Sequence, residues 1–294
     1  MARRLLLSCL VAGSLALAAC GGDDGDAASS TTAAGEAGGD GAGASCAQGK
    51  TLEDGVLTIA TGDPAFEPWV VDDDPESGEG FEAAVAYAVA ERLGFERSAV
   101  TWVRTSFDEA IQPGPKSFDF NLQQYSISPE REEVVSFSRP YYATNQAVVG
   151  FEDSAAAGAD SAADLAKLKL GAAAGTTSLT FIEQVIKPST APYAYNDNTD
   201  AKAALESKQI DAIVLDLPTA FFVSAVEIEG TTVIGQFPAD AGGATDEFGL
   251  LFEKDNPLVA CADEALDALE ADGTLEQLTA EWLADKTGAK VLSV

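Results

Sequence analysis

The chain has 294 residues, 46% hydrophobic and 22% charged. This is a globular composition, long enough for two lobes of roughly 100–150 residues each. Lys and Arg total 17 against 48 Asp and Glu, a formal charge of −31. So acidic a surface repels phosphate backbones and anionic lipid heads, which argues against a nucleic-acid partner. The sequence has no histidine, which excludes Ser-His-Asp and Cys-His nucleophilic catalysis and any zinc site built on imidazole.

Arg3 and Arg4 precede an apolar or small stretch over residues 5–19, shorter than the ~20 residues that span a bilayer. It reads as a secretory signal over residues 1–19. The stretch ends in Leu17-Ala18-Ala19-Cys20, followed by Gly21, and resembles the bacterial lipobox. That resemblance implies cleavage before Cys20, lipidation of Cys20 and an anchored, extracytoplasmic protein. The alternative is an ordinary signal with Cys20 incidental. Without Arg3 and Arg4, 15 basic residues face 48 acidic ones, a charge of −33. Residues 21–45 are rich in Gly, Ala, Ser, Thr and Asp and carry no large apolar side chain. They cannot bury enough surface to offset ordering, so residues 20–51 read as a lipidated cysteine followed by a tether. Cys9 leaves with the signal. Cys46 and Cys261 remain outside the cytoplasm, where disulfides persist, and a bridge would fix the start of the body to its last helices. Cys261 also fits a buried free thiol, because Leu258, Cys261, Ala265 and Leu269 share a helical face.

The body alternates strands and helices. Residues 56–60 form a short apolar strand. Phe81, Val85, Val89 and Leu93, at four-residue spacing, predict an amphipathic helix stopped by Gly94. Strands follow over 100–103 and 118–122, the latter entered through Pro113-Gly114-Pro115. This β-α-β order implies a parallel sheet with covering helices. The pattern restarts after residue 150, with strands over 168–172 and 210–215 and helices over 176–186, 200–207 and 217–226. A strand over 248–252 precedes a helix that starts at Asn256-Pro257 and closes at Gly273, and a last helix runs over 274–286.

Several stretches occur in an order and spacing that resemble the polar amino-acid-binding proteins of bacterial ABC importers, solute-binding protein family 3. They are Asp54-Gly55-Val56-Leu57-Thr58-Ile59-Ala60-Thr61, Asp63-Pro64-Ala65-Phe66-Glu67-Pro68, Gly80-Phe81-Glu82, Ser126-Ile127-Ser128-Pro129-Glu130-Arg131, Val135-Ser136-Phe137-Ser138-Arg139-Pro140-Tyr141-Tyr142, Gly175-Thr176-Thr177-Ser178, Ile210-Asp211-Ala212-Ile213-Val214-Leu215-Asp216, and Ala271-Asp272-Gly273-Thr274-Leu275 with Trp282. The resemblance implies an α/β, two-lobed periplasmic-binding-protein fold of type II, with a ligand cleft between lobes joined by two crossing strands. Lobe 1 would hold residues 52–145 and 245–294, lobe 2 residues 146–244, with crossovers near 141–145 and 246–249.

The resemblance also assigns a ligand set. Arg131 offers a planar fork for the ligand's α-carboxylate; in isolation it also fits a surface ion pair with Glu130 or Glu132. Ser126 supplies hydroxyl and backbone groups. Thr177 opens a helix whose N-terminus attracts a carboxylate; it also fits a plain helix cap. Asp216, at the C-terminal end of a strand, would receive the ligand ammonium, and it also fits an N-cap. Asp211 reads as structural. Asp63 matches an acid that reaches the ligand side chain in some relatives, and Asp63-Pro64 also reads as a turn. Phe66 and Phe107 match aromatic positions that sandwich the ligand's stem, and both also fit the core. Gln124 stands where many relatives have a small residue and could add an amide contact. The loop around Pro113-Gly114-Pro115 and Ala84 are two further departures from the family pattern.

Together these features predict a binding protein that delivers a polar amino acid, glutamine-like or basic, to a membrane ABC permease. The expected protein is a monomer held to the membrane by its lipid alone, needs no cofactor or metal, and performs no chemistry. The alternative is an enzyme on the same fold acting on a small amino or hydroxy acid, with Asp63 as acid or base.

Overall fold

The computed structural model describes residues 46–243, 245–283 and 288–294. The expected signal, Cys20, the tether through residue 45 and the end of the last predicted helix lie outside the described residues. Among the described residues the strands are, in chain order, β1 (Leu57–Gly62), β2 (Val100–Thr105), β3 (Phe120–Asn121), β4 (Val135–Thr144), β5 (Gln146–Phe151), β6 (Leu170–Ala173), β7 (Tyr193–Tyr195), β8 (Ala212–Asp216), β9 (Thr231–Gln236) and β10 (Asp246–Glu253). They form two five-stranded sheets, one ordered β2-β1-β3-β10-β4, the other β7-β6-β8-β5-β9.

Each sheet belongs to one lobe. In the first, β1 runs parallel to β2 and β3 and is buried on both faces, which is why it reads as a continuous apolar run. The Phe81–Arg92 helix lays Phe81, Val85 and Val89 on this sheet beside Leu266 and Leu269 of the Val259–Ala271 helix. Gly80 precedes Phe81 at φ 102°, and a Cβ there would stand 2.5 Å from the Trp69 carbonyl oxygen. Only glycine allows this approach, and it brings Trp69 edge-on to Phe81, Tyr142 and Phe248. In the second lobe, apolar clusters cover both faces of the sheet, one around Val148, Val214 and Phe237, the other around Ala147, Ile213 and Val223.

The sheets are mixed, which corrects the expectation of a parallel sheet. β10 is antiparallel to β3 and β4, and β5 is antiparallel to β8 and β9. Strands β4 and β5 are separated only by Asn145, so the chain leaves one sheet and enters the other almost without interruption. A strand that arrives from the neighbouring lobe has no βαβ crossover to force it parallel. The helix expected over 176–186 is α-helical at Thr177–Phe181 and widens to a π turn at Ile182–Ile186; the helix from Leu217 does the same at Val223–Glu227.

The C-terminal residues depart from the expected division. Leu292 N–H donates to the Gln236 carbonyl and Gln236 N–H to the Lys290 carbonyl, both at 2.8 Å, and Leu292 is fully buried in the second lobe's core. The tail therefore belongs to lobe 2, not to lobe 1 as a 245–294 segment. Leu292 is an apolar residue in a short terminal stretch without periodicity, so no pattern marks its destination. At the other end, Cys46 and Cys261 are joined by a disulfide with Cα atoms 5.7 Å apart, so Cys261 is not a free thiol.

Candidate functional site

A cavity of about 220 Å³ lies where the two lobes meet. Asp63, Phe66, Phe107, Gln124, Ser126, Arg131, Thr177 and Asp216 all line it. Short local motifs place them. Ser128 N-caps a single helical turn, Pro129–Glu132, with proline at its first position, and this turn carries Arg131. Just upstream, Ser126 pairs with Phe248 of β10, and the Tyr125 carbonyl accepts from Gly249 N–H, which holds the segment against the sheet. Ser106 caps the Phe107–Ile111 helix, and Phe107 stacks on Tyr125 with centroids 4.7 Å apart.

The Arg131 guanidinium lies 5.3 Å from the Phe107 ring centroid. Its Nη1 donates to the Ser126 carbonyl at 2.7 Å and its Nη2 to the Gly175 carbonyl of the other lobe at 2.9 Å. A guanidinium has five N–H donors, so three remain for a ligand. Among the described residues no carboxylate lies within ion-pair distance of it, so the surface pair with Glu130 or Glu132 is not formed. Burial lowers its pKa from the ordinary value, a cost that nearby Asp246 offsets in part. Gly175, at φ 70°, lies so close to Asp108 that a Cβ would meet that carboxylate at 2.5 Å.

Asp216 is an N-cap and a cavity residue at once. Its Oδ1 accepts from Thr219 N–H at 2.9 Å, while the residue lines the cavity. Burial raises its pKa to about 6; hydrogen bonds from Thr219 oppose the shift and Asp246 adds to it. Thr176, not Thr177, caps the following helix, and Thr177 is its first residue. Asp63 is exposed at the cavity wall, and Phe66 carries Lys202 of the second lobe 4.9 Å from its centroid. Asp211 accepts from Lys169 N–H at 2.8 Å, away from the cavity.

The family model for bacterial extracellular solute-binding proteins, family 3, matches residues 57–285. The chain belongs to that family. It is 27% identical over 218 residues to the arginine-binding extracellular protein ArtP of Bacillus subtilis, covering 72% of this chain and 79% of the relative. It is 28% identical over 244 residues to the L-cystine-binding protein TcyJ of Escherichia coli K12, covering 81% and 86%. Among solved structures, an ancestral arginine-binding protein bound to glutamine superposes with a TM-score of 0.66 at 26% identity, over 79% of this chain and all of the other. No helix of the described residues is long and apolar enough to cross a membrane.

Within this member of family 3, sequence reasoning assigns no site role to three polar residues, although Glu82 stands in the family-like Gly80-Phe81-Glu82 stretch. Asp246 Oδ2 accepts from Thr177 Oγ1 at 3.0 Å and from Gln146 Nε2 at 2.5 Å, and both Asp246 and Gln146 line the cavity. Glu82 lies behind the wall and is bonded to Gln124. Asp246 and Gln146 begin strands that cross between lobes; the position of the crossovers was the only available signal. Lobe-to-lobe bonds surround the cavity: besides Arg131 to Gly175, Ser126 Oγ lies 3.2 Å from Thr177 Oγ1, and buried Trp69 Nε1 donates to Thr219 Oγ1 at 2.7 Å.

Proposed function

We propose that the chain binds one free polar amino acid between its lobes and passes it to an ABC permease, without chemical conversion. The observation that carries this reading is a half-buried guanidinium with three unspent donors sharing a small two-lobed cavity with the Asp216 carboxylate. An α-amino acid presents the complementary pair, a carboxylate for Arg131 and an ammonium for Asp216. The cavity is smaller than the roughly 300–1,000 Å³ of drug-sized sites, which suits a single amino acid. Ser126 and Thr177 add hydroxyls from the two lobes, and Phe66 and Phe107 flank the ligand's stem. Closure is driven by contacts made to both lobes at once.

The ligand side chain is neutral and polar or cationic. Asp63, Asp197, Asp216 and Asp246 line the cavity against Arg131 as its cation. With Arg131 engaged by the α-carboxylate, a second ligand carboxylate would meet acids without a countercharge. The lipobox-like Leu17-Ala18-Ala19-Cys20 supports a lipid anchor on the outer face of the membrane. The relatives' names support binding rather than catalysis.

Calorimetry with the twenty amino acids tests the reading. Wild-type protein should bind at least one polar amino acid. Arg131→Ala should weaken that ligand by about 30- to several-thousand-fold, corresponding to roughly 2–5 kcal/mol, in a protein with an unchanged circular dichroism spectrum. Equal affinity in a folded variant would defeat the clamp.

A further inference from the structure

Gln124 adopts a left-handed backbone, φ 51°, that a side chain other than glycine adopts only when its surroundings hold it there. The holding group is Glu82, second residue of the Phe81–Arg92 helix and 1% exposed. Glu82 Oε1 accepts from Gln124 N–H at 2.7 Å, and Oε2 accepts from Gln124 Nε2 at 2.5 Å. Tyr141 of β4 donates its hydroxyl to Oε1 as well. An ionised carboxylate only accepts, so the carboxamide of Gln124 must turn its NH2 towards Glu82. Its carbonyl oxygen then points elsewhere. Among the described residues that oxygen has no hydrogen-bond donor, yet the only buried side-chain polar atom without a partner is Asn121 Oδ1. The Gln124 oxygen is therefore accessible, and the space its residue lines is the cavity.

We propose that Glu82 is a positioning residue for the amino-acid site. From behind the cavity wall it turns the Gln124 carboxamide so that its carbonyl oxygen meets the ligand side chain, which selects side chains that donate hydrogen bonds (amide, ammonium or guanidinium groups) over carboxylates. The proposal rests on the reading of the cavity as an amino-acid site. It goes beyond the charge inventory because Gln124 is neutral: its contribution is the direction of a hydrogen bond, and that direction is set from outside the cavity.

Glu82→Gln is nearly isosteric. A glutamine at position 82 keeps an oxygen for Gln124 N–H but gains an NH2 that can donate to the Gln124 oxygen, releasing the Gln124 NH2 towards the ligand. The substitution also removes a negative charge, so a double-mutant cycle is needed. Arginine, a donor-only side chain, and glutamate, an acceptor-only one, are titrated into wild type, Glu82→Gln, Gln124→Met and the double variant. Measurement at about pH 8 keeps Glu82 largely ionised, burial having raised its pKa to about 7.

Wild type should prefer arginine. Glu82→Gln should cut the arginine-over-glutamate ratio by about tenfold or more, the worth of one hydrogen bond to a charged group. On the Gln124→Met background the same substitution should change the ratio less than about twofold, since no carboxamide remains to turn. An equal drop on both backgrounds would mean that Glu82 acts through its charge alone, and this would overturn the proposal. So would an unchanged ratio in Glu82→Gln, or a wild type that prefers glutamate. Should Glu82→Gln not fold, Gln124→Met alone decides: a ratio equal to wild type overturns the contact. Wild-type protein that binds none of the twenty amino acids would instead remove the reading beneath the proposal, and the proposal with it.

Discussion

Asp216 caps a helix through Thr219 N–H and lines the cavity with the same carboxylate, so a substitution can separate the two. Asparagine caps helices as well as aspartate does, so Asp216→Asn should keep the bond from Thr219 N–H and leave folding intact. It should nevertheless weaken an amino-acid ligand by roughly 2–5 kcal/mol, because the ammonium loses a desolvated countercharge. The same residue predicts a pH dependence with opposite signs for stability and binding. Burial raises its pKa from 3.8 to about 6. Between these values the folded chain holds a proton that the unfolded chain releases, so the ligand-free protein gains stability from this group as pH falls through 6. Binding an ammonium requires the ionised form, so affinity falls over the same interval. Both trends should be weaker in Asp216→Asn than in wild type by thermal melts and calorimetry, the remaining stability trend coming from Glu82, whose pKa burial raises to about 7. At this scale the sequence was most legible where a residue sits in a local motif. Arg131 follows a capped Ser-Pro turn and Asp216 ends an apolar strand, so both could be placed. Asp246, Gln146 and Glu82 act through partners between 31 and 100 residues away, and no local pattern announces such contacts.

Elements divide along a similar line. The runs that pack on one sheet through helical or apolar periodicity, such as Phe81–Arg92 and β1, are readable because their own residues decide their faces. The directions of strands β5 and β10 are not, because each enters its sheet from the other lobe. The Cys46–Cys261 disulfide is an element-scale restraint of this non-local kind. It pins the entry of the chain to the Val259–Ala271 helix across 215 residues of sequence, beside Ala47, which is buried in the same core. Reduction, or Cys46→Ser with Cys261→Ser, should lower unfolding stability by roughly 2–5 kcal/mol in denaturant melts. Ligand affinity should change little, since neither cysteine lines the cavity.

At the level of the whole molecule, the lobes share more covalent connections than two crossing strands. The chain passes from lobe 1 to lobe 2 at Asn145, returns between β9 and β10, and reaches lobe 2 again at its C-terminal tail. Leu292→Ala should cost about 2–5 kcal/mol, the range for truncating a fully buried leucine, and proteolysis should show the loss in the second lobe. The tail also gives the molecule a built-in ruler. Leu52 lies in the first lobe, its N–H bonded to Asp119, and Val294 ends the chain beside the second; they are 58% and 69% exposed. Fluorophores at these two positions would sit on opposite jaws and clear of the cavity. Energy transfer between them would then track opening and closing in single molecules without perturbing any group that touches the ligand.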